Sequence, residues 1–430
     1  MNEGKQEISY VILGVECILL ILLLCIFEKV MSPYLLEQYM PVRVEWLNKY
    51  IEEVSRGVFP QIIPSGNSDH AIGIYILGAN LGNFFHIDGS ATFRLITLVT
   101  FYFTIIIFPI LIQKIFRCRL ATYIAPISLC FFFNDYLLTV YNDVYVGLGI
   151  CMVVLSVPLI IILIECQIHR RKILLYFILI MVMSVANIAR EHTSLGLLIV
   201  LLYLIIAEII KAVKGKEWVY LMEYICIGFL MLISYNLCAT IIPNALLRMN
   251  GQEQWLTSST AWHNIYIGFG YFDNPYDLVY LDECAYAKVK EINANALCPS
   301  NEYFDICKAL VIDLFKKDWI FCVKTAILKT IYIFREMLVV TLRRISRVIC
   351  IIFIVYNVYK KKMRDGVFFV YTKQIIIVGS IFILIGAIPS ILTAPSIAYS
   401  ITAYAAIQIM IMMTMFSILA EKQRKNCELK

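Results

Sequence analysis

The sequence predicts an all-α, polytopic membrane protein with about ten transmembrane helices, and three observations indicate this fold class. The chain of 430 residues is 61% hydrophobic and has a mean hydropathy of +0.79. Only 16% of its residues are charged, whereas soluble domains have roughly 25%. Its apolar residues fall in runs close to the ~20 residues that a helix needs to cross the hydrocarbon core.

The apolar runs are separated by short polar connections. The first run is longer than a signal-peptide core and lacks a small-residue cleavage site before Glu28, which favours a retained membrane anchor. The predicted spans are 9–27, 92–113, 120–139, 144–164, 173–189, 193–210, 219–242, 374–393 and 399–419, with a less regular one near 340–358.

Basic residues cluster at every second connection between these spans. Since Lys and Arg collect on the cytoplasmic side, the clusters predict a plasma-membrane protein with both termini in the cytoplasm. The clusters are "KIFRCR" at 114–119, "HRRK" at 169–172, "KAVKGK" at 211–216, "KKKMR" at 360–364 and "EKQRKNCELK" at 421–430. The opposite, outer face then holds most of the His residues and most acidic residues outside the spans.

The longer outer segments divide the chain into three predicted parts. Residues 1–242 form a transmembrane module whose first outer loop, 28–91, contains amphipathic surface helices. Residues 243–320 mix aromatic residues with charges of both signs, which predicts a folded outer cap rather than a linker. Residues 321–430 are predicted to begin with an interfacial amphipathic helix and to end with the last transmembrane helices.

The stretch "PSGNSDHAIGIY" places Asp69 and His70 just before the second span. A carboxylate at the membrane surface can act as a general base on an incoming nucleophile, and flanking glycines let the backbone approach a ligand closely. Asp69 is therefore a candidate catalytic residue and His70 a candidate substrate-binding residue. The alternative is a solvated loop acid.

Two further polar clusters lie at the ends of predicted spans. Asp143 heads the span 144–164, where it either caps helix amides or acts as a second catalytic carboxylate. Arg190, Glu191 and His192 separate two spans with almost no loop, and ionisable residues there are costly unless they pair or line a wet cavity. They are predicted to bind substrate, with Arg190 holding a phosphate bidentately. A local Arg–Glu pair is the alternative.

The outer cap and the following helix supply the remaining candidates. Trp262 and His263 are predicted to contact a sugar, with an interfacial aromatic belt as the alternative. Lys324, Arg343 and Arg344 belong to a basic group on the predicted outer face, contrary to the charge rule. They are predicted to bind a lipid phosphate, and simple snorkelling of their side chains to headgroups is the alternative.

Several functions are not supported by any motif in the sequence. There is no phosphate-binding loop, dinucleotide fingerprint, zinc-protease motif or Gly-x-Ser-x-Gly, and nothing indicates nucleic-acid binding. The 14 Cys residues show no metal-ligand spacing. Cys284, Cys298 and Cys307 share one polar stretch, where either a disulfide or three thiols would be consistent with the sequence.

The layout resembles the GT-C superfamily of integral membrane glycosyltransferases, in particular its poorly characterised bacterial members. The likeness covers most of the chain in arrangement. It is specific at three stretches, which are "NSDHAIGIYILGANL", "IAREHTSLGLLIVLLYLI" and "WHNIYIGFGYFDNPYDLVYLDE". In that family the acid of the first outer loop is the catalytic base, which corresponds to Asp69. The basic residue that heads a Leu-rich span corresponds to Arg190.

This resemblance implies transfer of a sugar from a polyprenyl-phosphate donor to a glycan, lipid or protein acceptor on the outer face. Many metal-dependent members have an Asp-x-Asp motif in the first outer loop, but Asn67 and Ala71 flank Asp69 at the corresponding positions. The chain is therefore predicted to need no cofactor, and a divalent metal is the less favoured alternative. The competing functions are a lipid-linked sugar flippase or transporter and a polysaccharide polymerase.

Overall fold

Seventeen α-helices and one π-helical turn, Leu237–Ile241, which joins α9 to α10, make up most of the described part of the chain, in which no β-strand occurs. A computed structural model describes residues 8–35, 41–58, 72–139, 144–189, 193–249, 261–298, 300–359, 367–395 and 399–428. The first nine helices are α1 Tyr10–Leu35, α2 Pro41–Ser55, α3 Ile72–Phe85, α4 Gly89–Phe116, α5 Arg119–Thr139, α6 Val144–Glu165, α7 His169–Ala189, α8 Leu195–Gly215 and α9 Trp218–Asn236. The others are α10 Ile242–Met249, α11 Ala261–Gly268, α12 Asp282–Ile292, α13 Asn301–Lys317, α14 Trp319–Leu342, α15 Ile345–Tyr359, α16 Val367–Leu392 and α17 Ile401–Glu428.

These are the helices of a membrane-embedded, polytopic α-helical protein. Seven of the described helices are long and apolar enough to cross a bilayer. They are Gly89–Phe116, Val146–Glu165, His169–Ile188, Leu195–Gly215, Trp218–Leu246, Tyr371–Leu392 and Ile401–Asn426. Shorter apolar stretches of α1, α5 and α15 correspond to the other predicted spans, and they are Tyr10–Ile26, Arg119–Phe133 and Ile345–Val358. The figure of ten crossings stays a prediction.

Helix α6 is the centre of the bundle. Of the residues in its most apolar stretch, 94% are buried inside the protein, whereas the corresponding share is 22–61% in the other candidate spans. A helix that is hydrophobic on all sides is suited to this position, because every face meets another helix. Helices α4, α7, α16 and α17 pack around it.

Helices α16 and α17 pack closely because small residues lie at their interface. The position of a Cβ on Gly386 lies 2.7 Å from the backbone nitrogen of Ala403, and a Cβ on Gly379 would overlap Met410. Contacts of this kind stabilise helix pairs in membranes, where van der Waals packing replaces much of the hydrophobic effect.

The bundle has two distinguishable ends. We call the end with turns 86–88, 193–194 and 393–395 the cap end, and the end with turns 117–118, 166–168 and 216–217 the basic end. The start of α1 and the end of α17 both lie at the basic end. The Tyr123 hydroxyl is 3.5 Å from the Ser9 carbonyl oxygen, and the Cys118 thiol is 3.0 Å from Gln423 Oε1.

The segment predicted to begin as an interfacial helix forms the broken pair α14 and α15, and residues from Thr341 onward lie along α17. Its interfacial position stays a prediction. The Gln408 amide nitrogen of α17 donates to the Thr341 hydroxyl at 2.8 Å. The Cys350 thiol lies 3.5 Å from the Met415 sulfur. Farther on, Ile418 packs against Phe353. In these three contacts the residue number increases along α14–α15 and along α17 in the same direction. This part of the pair therefore runs parallel to α17 toward the basic end. Packing along a neighbouring helix, which the sequence pattern does not reveal, decides this placement.

Helices α2 and α3 form a layer over the cap end. Helix α2 is amphipathic as predicted, and its apolar stripe, with Leu47 fully buried, packs on α3. The glycines of α3, predicted to let a ligand approach, instead admit neighbouring helices. Cβ positions on Gly78 and Gly82 lie 3.1 Å and 2.5 Å from side-chain atoms of Leu47 and Ile51.

Helices α11–α13 fold together over the same end. Tyr303 and Phe304 of α13 form a buried cluster with Val289 of α12, and Trp262 of α11 packs against it. Ile76 of α3 packs against the same cluster, so the folded cap contacts the layer made by α2 and α3. Cys284, Cys298 and Cys307 are not joined by a disulfide in the structure.

Candidate functional site

Six of the predicted site residues lie outside the described residues. They are Asp69, His70, Asp143, Arg190, Glu191 and His192. The structure does describe the helix ends that flank them, at Ile72, Val144, Ala189 and Thr193. The positions of these helix ends can therefore be compared.

The start of α3 touches the end of α7. A Cβ on Gly73 would lie 2.8 Å from Ile188 Cγ2 and 2.9 Å from the Ile188 carbonyl oxygen. Only a residue without a side chain allows this approach. The segment that carries Asp69 therefore leads into a helix whose first turn abuts the helix from which the segment with Arg190 departs.

A second contact joins the starts of α6, α8 and α17. A Cβ on Gly149 would lie 2.9 Å from Ile401 and 3.3 Å from Thr193. Asp143 immediately precedes α6, and His192 immediately precedes Thr193. The chain segments that hold Asp69, Asp143 and Arg190 are thus all attached at the cap end.

The turn between α7 and α8 contains a buried polar pair that the sequence reasoning missed. The Ser194 hydroxyl donates to Asn187 Oδ1 at 2.5 Å. Ser194 is fully buried and Asn187 is 2% exposed. The only signal in the sequence is that Asn187 and Ser194 flank the polar run Arg190–His192, which the prediction treated as the complete cluster.

His263 is fixed inside the cap rather than presented to a ligand. Its Nε2–H donates to the Asp282 carboxylate at 3.1 Å, and its Nδ1 accepts from the Tyr303 hydroxyl at 2.7 Å. The ring also lies against Tyr286 with a centroid distance of 5.4 Å. The hydrogen bond from His263 lowers the pKa of Asp282. With both ring nitrogens bonded, His263 can hold α11 against α12 and α13.

Trp262 differs from its neighbour because it is only half-buried. The Lys308 ammonium lies 5.8 Å from the centre of a Trp262 ring, within range of a cation–π contact. One part of the indole packs on the buried cap cluster. Trp262 therefore keeps a partly accessible aromatic surface, which is what stacking against a sugar requires.

Lys329 is a buried cation at a meeting point of helix ends. It is 1% exposed, and its Nζ donates to the Thr393 carbonyl oxygen at 2.6 Å. Helix α11 ends beside it at Gly268, and α16 ends at Leu392. The negative ends of two helix dipoles favour a cation here, while burial lowers the pKa of Lys329 to about 7.

We expect Gly268→Ala to destabilise the protein by about 1–3 kcal/mol, the range for overpacking. The added Cβ would lie 2.5 Å from the Thr393 carbonyl oxygen and 3.0 Å from Lys329 Nζ. The measurement is the melting temperature of the detergent-purified protein. Gly14→Ala is the control, because a Cβ there meets no atom within 4 Å. Equal melting temperatures for the two variants would contradict the close packing at Gly268.

The predicted basic group does not form one patch. Lys324 is exposed on α14, Arg343 is exposed directly after the end of this helix, and Arg344 beside it is half-buried. At a rise of about 1.5 Å per residue, Lys324 and Arg343 are roughly 28 Å apart along the helix axis. A single lipid phosphate cannot contact both, so their assignment as lipid-phosphate ligands stays a prediction for each residue separately.

Arg347, close to this group in the sequence, is fully buried. Its guanidinium donates to the Val340 carbonyl oxygen at 2.8 Å and to the Phe132 carbonyl oxygen at 2.5 Å. Val340 lies in the last turn of α14, where carbonyls lack partners within the helix. Arg347 therefore caps the break between α14 and α15 and ties it to α5.

Among the residues that the structure describes, no group of three His, Cys, Asp or Glu side chains could hold a metal ion. Residues 59–71 of the first outer loop, which include Asp69, lie outside this set, so metal dependence stays a prediction. No protein-family model, curated protein or solved structure matches this chain.

Proposed function

We propose that the chain is a membrane glycosyltransferase that moves a sugar from a polyprenyl-phosphate donor to an acceptor at the cap end, which faces outward. Asp69 acts as general base, Arg190 binds the donor phosphate and Asp143 is a second catalytic carboxylate. The resemblance to the GT-C superfamily is the source of these roles. The chain acts without a resident cofactor in this proposal.

The observation that supports the proposal is the meeting of helix ends at the cap end. The contact between Gly73 and Ile188 joins the helices that flank the segments of Asp69 and Arg190. The cap, with Trp262 on its surface, packs on Ile76 one turn farther along α3. An acid, a phosphate-binding guanidinium and an aromatic platform are thus carried by neighbouring parts of the fold.

The proposed step is a displacement at the anomeric carbon of the donor sugar. The acceptor oxygen forms a bond to this carbon as the bond from the carbon to the phosphate oxygen breaks. Asp69 takes the proton of the acceptor hydroxyl. The phosphate oxygen leaves with the bonding electron pair, and the charge that develops on it is stabilised by Arg190. The products are the glycosylated acceptor and the polyprenyl phosphate.

A transporter of lipid-linked sugars is the second candidate, and one observation favours it. Polar side chains lie buried between helices, since Arg347 and Gln408 are both fully buried and Thr341 is 3% exposed. Intramembrane polar residues often mark substrate pathways. Bonds to backbone carbonyls account for the position of Arg347 without a substrate, which makes the enzyme the better-supported proposal.

An experiment that follows what happens to the donor lipid distinguishes the two functions. The full chain is reconstituted in proteoliposomes and given a panel of short-chain polyprenyl-phosphate hexoses and pentoses with glycan, lipid and peptide acceptors. The proposal expects release of bare polyprenyl phosphate from one donor, together with a labelled acceptor. Movement of intact donor across the bilayer without release would instead identify a transporter.

A further inference from the structure

The carboxamide of Asn187 is buried with only half of its hydrogen-bonding capacity used. Its Oδ1 accepts from Ser194, whereas its Nδ2 is inaccessible and finds no partner among the described residues. In this arrangement the hydroxyl occupies Oδ1, and the N–H donors of the carboxamide are the groups left without a partner. A buried donor without an acceptor is destabilising, and native proteins rarely keep one without a reason.

Ser194 gives independent support because it has been diverted from its usual role. It occupies the N-cap position of α8, where a serine normally accepts from an amide of the first helical turn. Here its side chain makes no capping hydrogen bond and points instead to Asn187. The Ser194 side chain therefore bonds to the carboxamide of Asn187 and does not cap α8.

The position of Asn187 connects it to the proposed site. It precedes Ile188, whose carbonyl oxygen abuts the first turn of α3. It also lies in the last turn of α7, three residues before Arg190 in the sequence. Asn187 is therefore next to the contact between α3 and α7, the two helices from which the segments with the proposed base and the proposed phosphate ligand depart.

We propose that Asn187 is a substrate-binding residue whose Nδ2 donates to a hydroxyl oxygen on the sugar of the donor, held in place by Ser194. This inference rests on the proposed function, which supplies a sugar at this junction. A neutral amide suits a neutral hydroxyl, whereas the charged phosphate is better matched by a guanidinium. Sites that hydrogen-bond a substrate hydroxyl also discriminate strongly against substrates that lack it.

The first test measures stability without any ligand. In the double variant Asn187→Leu/Ser194→Ala, both partners become apolar and the unmade hydrogen bond disappears. The melting temperature of the purified protein is expected to rise by about 1–3 °C. Asn357→Leu is the matched control and should lower it, because the buried Asn357 donates to the Phe353 carbonyl oxygen at 2.6 Å.

The second test measures binding by the thermal shift that a ligand produces. Short-chain polyprenyl-phosphate sugars are compared with bare polyprenyl phosphate on the wild type, Asn357→Leu and the double variant. The wild type and the control should show an additional shift that depends on the sugar. The double variant should lose this addition, with binding of the sugar-bearing donor weakened by roughly ten- to a hundredfold.

The outcomes separate this inference from the proposed function. A sugar-dependent shift that is lost in the double variant supports Asn187 even if no sugar transfer is ever detected, in which case the enzyme proposal alone fails. A shift that persists in the double variant overturns the role of Asn187 and leaves the enzyme proposal intact. Absence of any sugar-dependent shift in the wild type, or a lower melting temperature for the ligand-free double variant, overturns the inference.

Discussion

Asp69→Asn is expected to lower sugar transfer by about 10²–10⁴-fold, the usual contribution of a general base. The amide cannot take the proton of the acceptor hydroxyl, while its size and hydrogen-bonding geometry stay close to those of the acid. Expression, melting temperature and donor binding should therefore stay near wild-type values. Release of polyprenyl phosphate from the accepted donor measures the effect.

Asp88→Asn is the matched control for this prediction. Asp88 lies at the turn between α3 and α4, and its side chain accepts from the Ala91 amide at 2.7 Å as the N-cap of α4. Asparagine caps a helix about as well as aspartate, so this variant should retain both stability and transfer. Wild-type sugar transfer by Asp69→Asn would show that Asp69 is not the general base. An equal loss of transfer in Asp69→Asn and Asp88→Asn would indicate a general effect of removing a negative charge.

Lys329→Met is expected to change how the stability of the protein depends on pH. Burial lowers the pKa of Lys329 in the folded state to about 7, below its ordinary value of 10.5. Between these two values the unfolded chain binds the extra proton, so wild-type stability rises with pH by about 1.4 kcal/mol per unit. Methionine cannot be protonated, and the variant should lack this rise.

The difference between the two proteins therefore depends on pH. Relative to wild type, Lys329→Met should be most stable at or below about pH 7 and should lose roughly 3 kcal/mol of this advantage by about pH 9.5. Melting temperatures across that range provide the measurement. Lys324→Met, on the exposed side of the same helix, should follow wild type. A constant difference between Lys329→Met and wild type would show that Lys329 keeps its proton throughout.

The apolar spans could be predicted because each depends on a local property of the chain. A run of about twenty apolar residues must become a helix in hydrocarbon, since no water is present to bind its backbone. For this reason the run 144–164 corresponds closely to the observed helix Val144–Glu165. The sidedness of the membrane and the count of ten crossings remain predictions.

The candidate site could be predicted only in part, and the differences concern side-chain environment. The sequence predicts that His263 contacts a sugar, but its hydrogen-bond partners Asp282 and Tyr303 lie on two other helices. Nothing in its local sequence shows that both nitrogens are occupied. Asn187 was overlooked because an asparagine between apolar residues is unremarkable until the diverted hydroxyl of Ser194 is seen.

The sequence by itself determined that this protein is helical and embedded in a membrane, since both properties follow from composition and from the lengths of the apolar runs. Only the tertiary structure decided which basic residues are buried. Lys329 meets a carbonyl 64 residues away and Arg347 meets one 215 residues away. The physical reason is that the environment of a charge depends on the helices that pack around it, and these are distant in sequence.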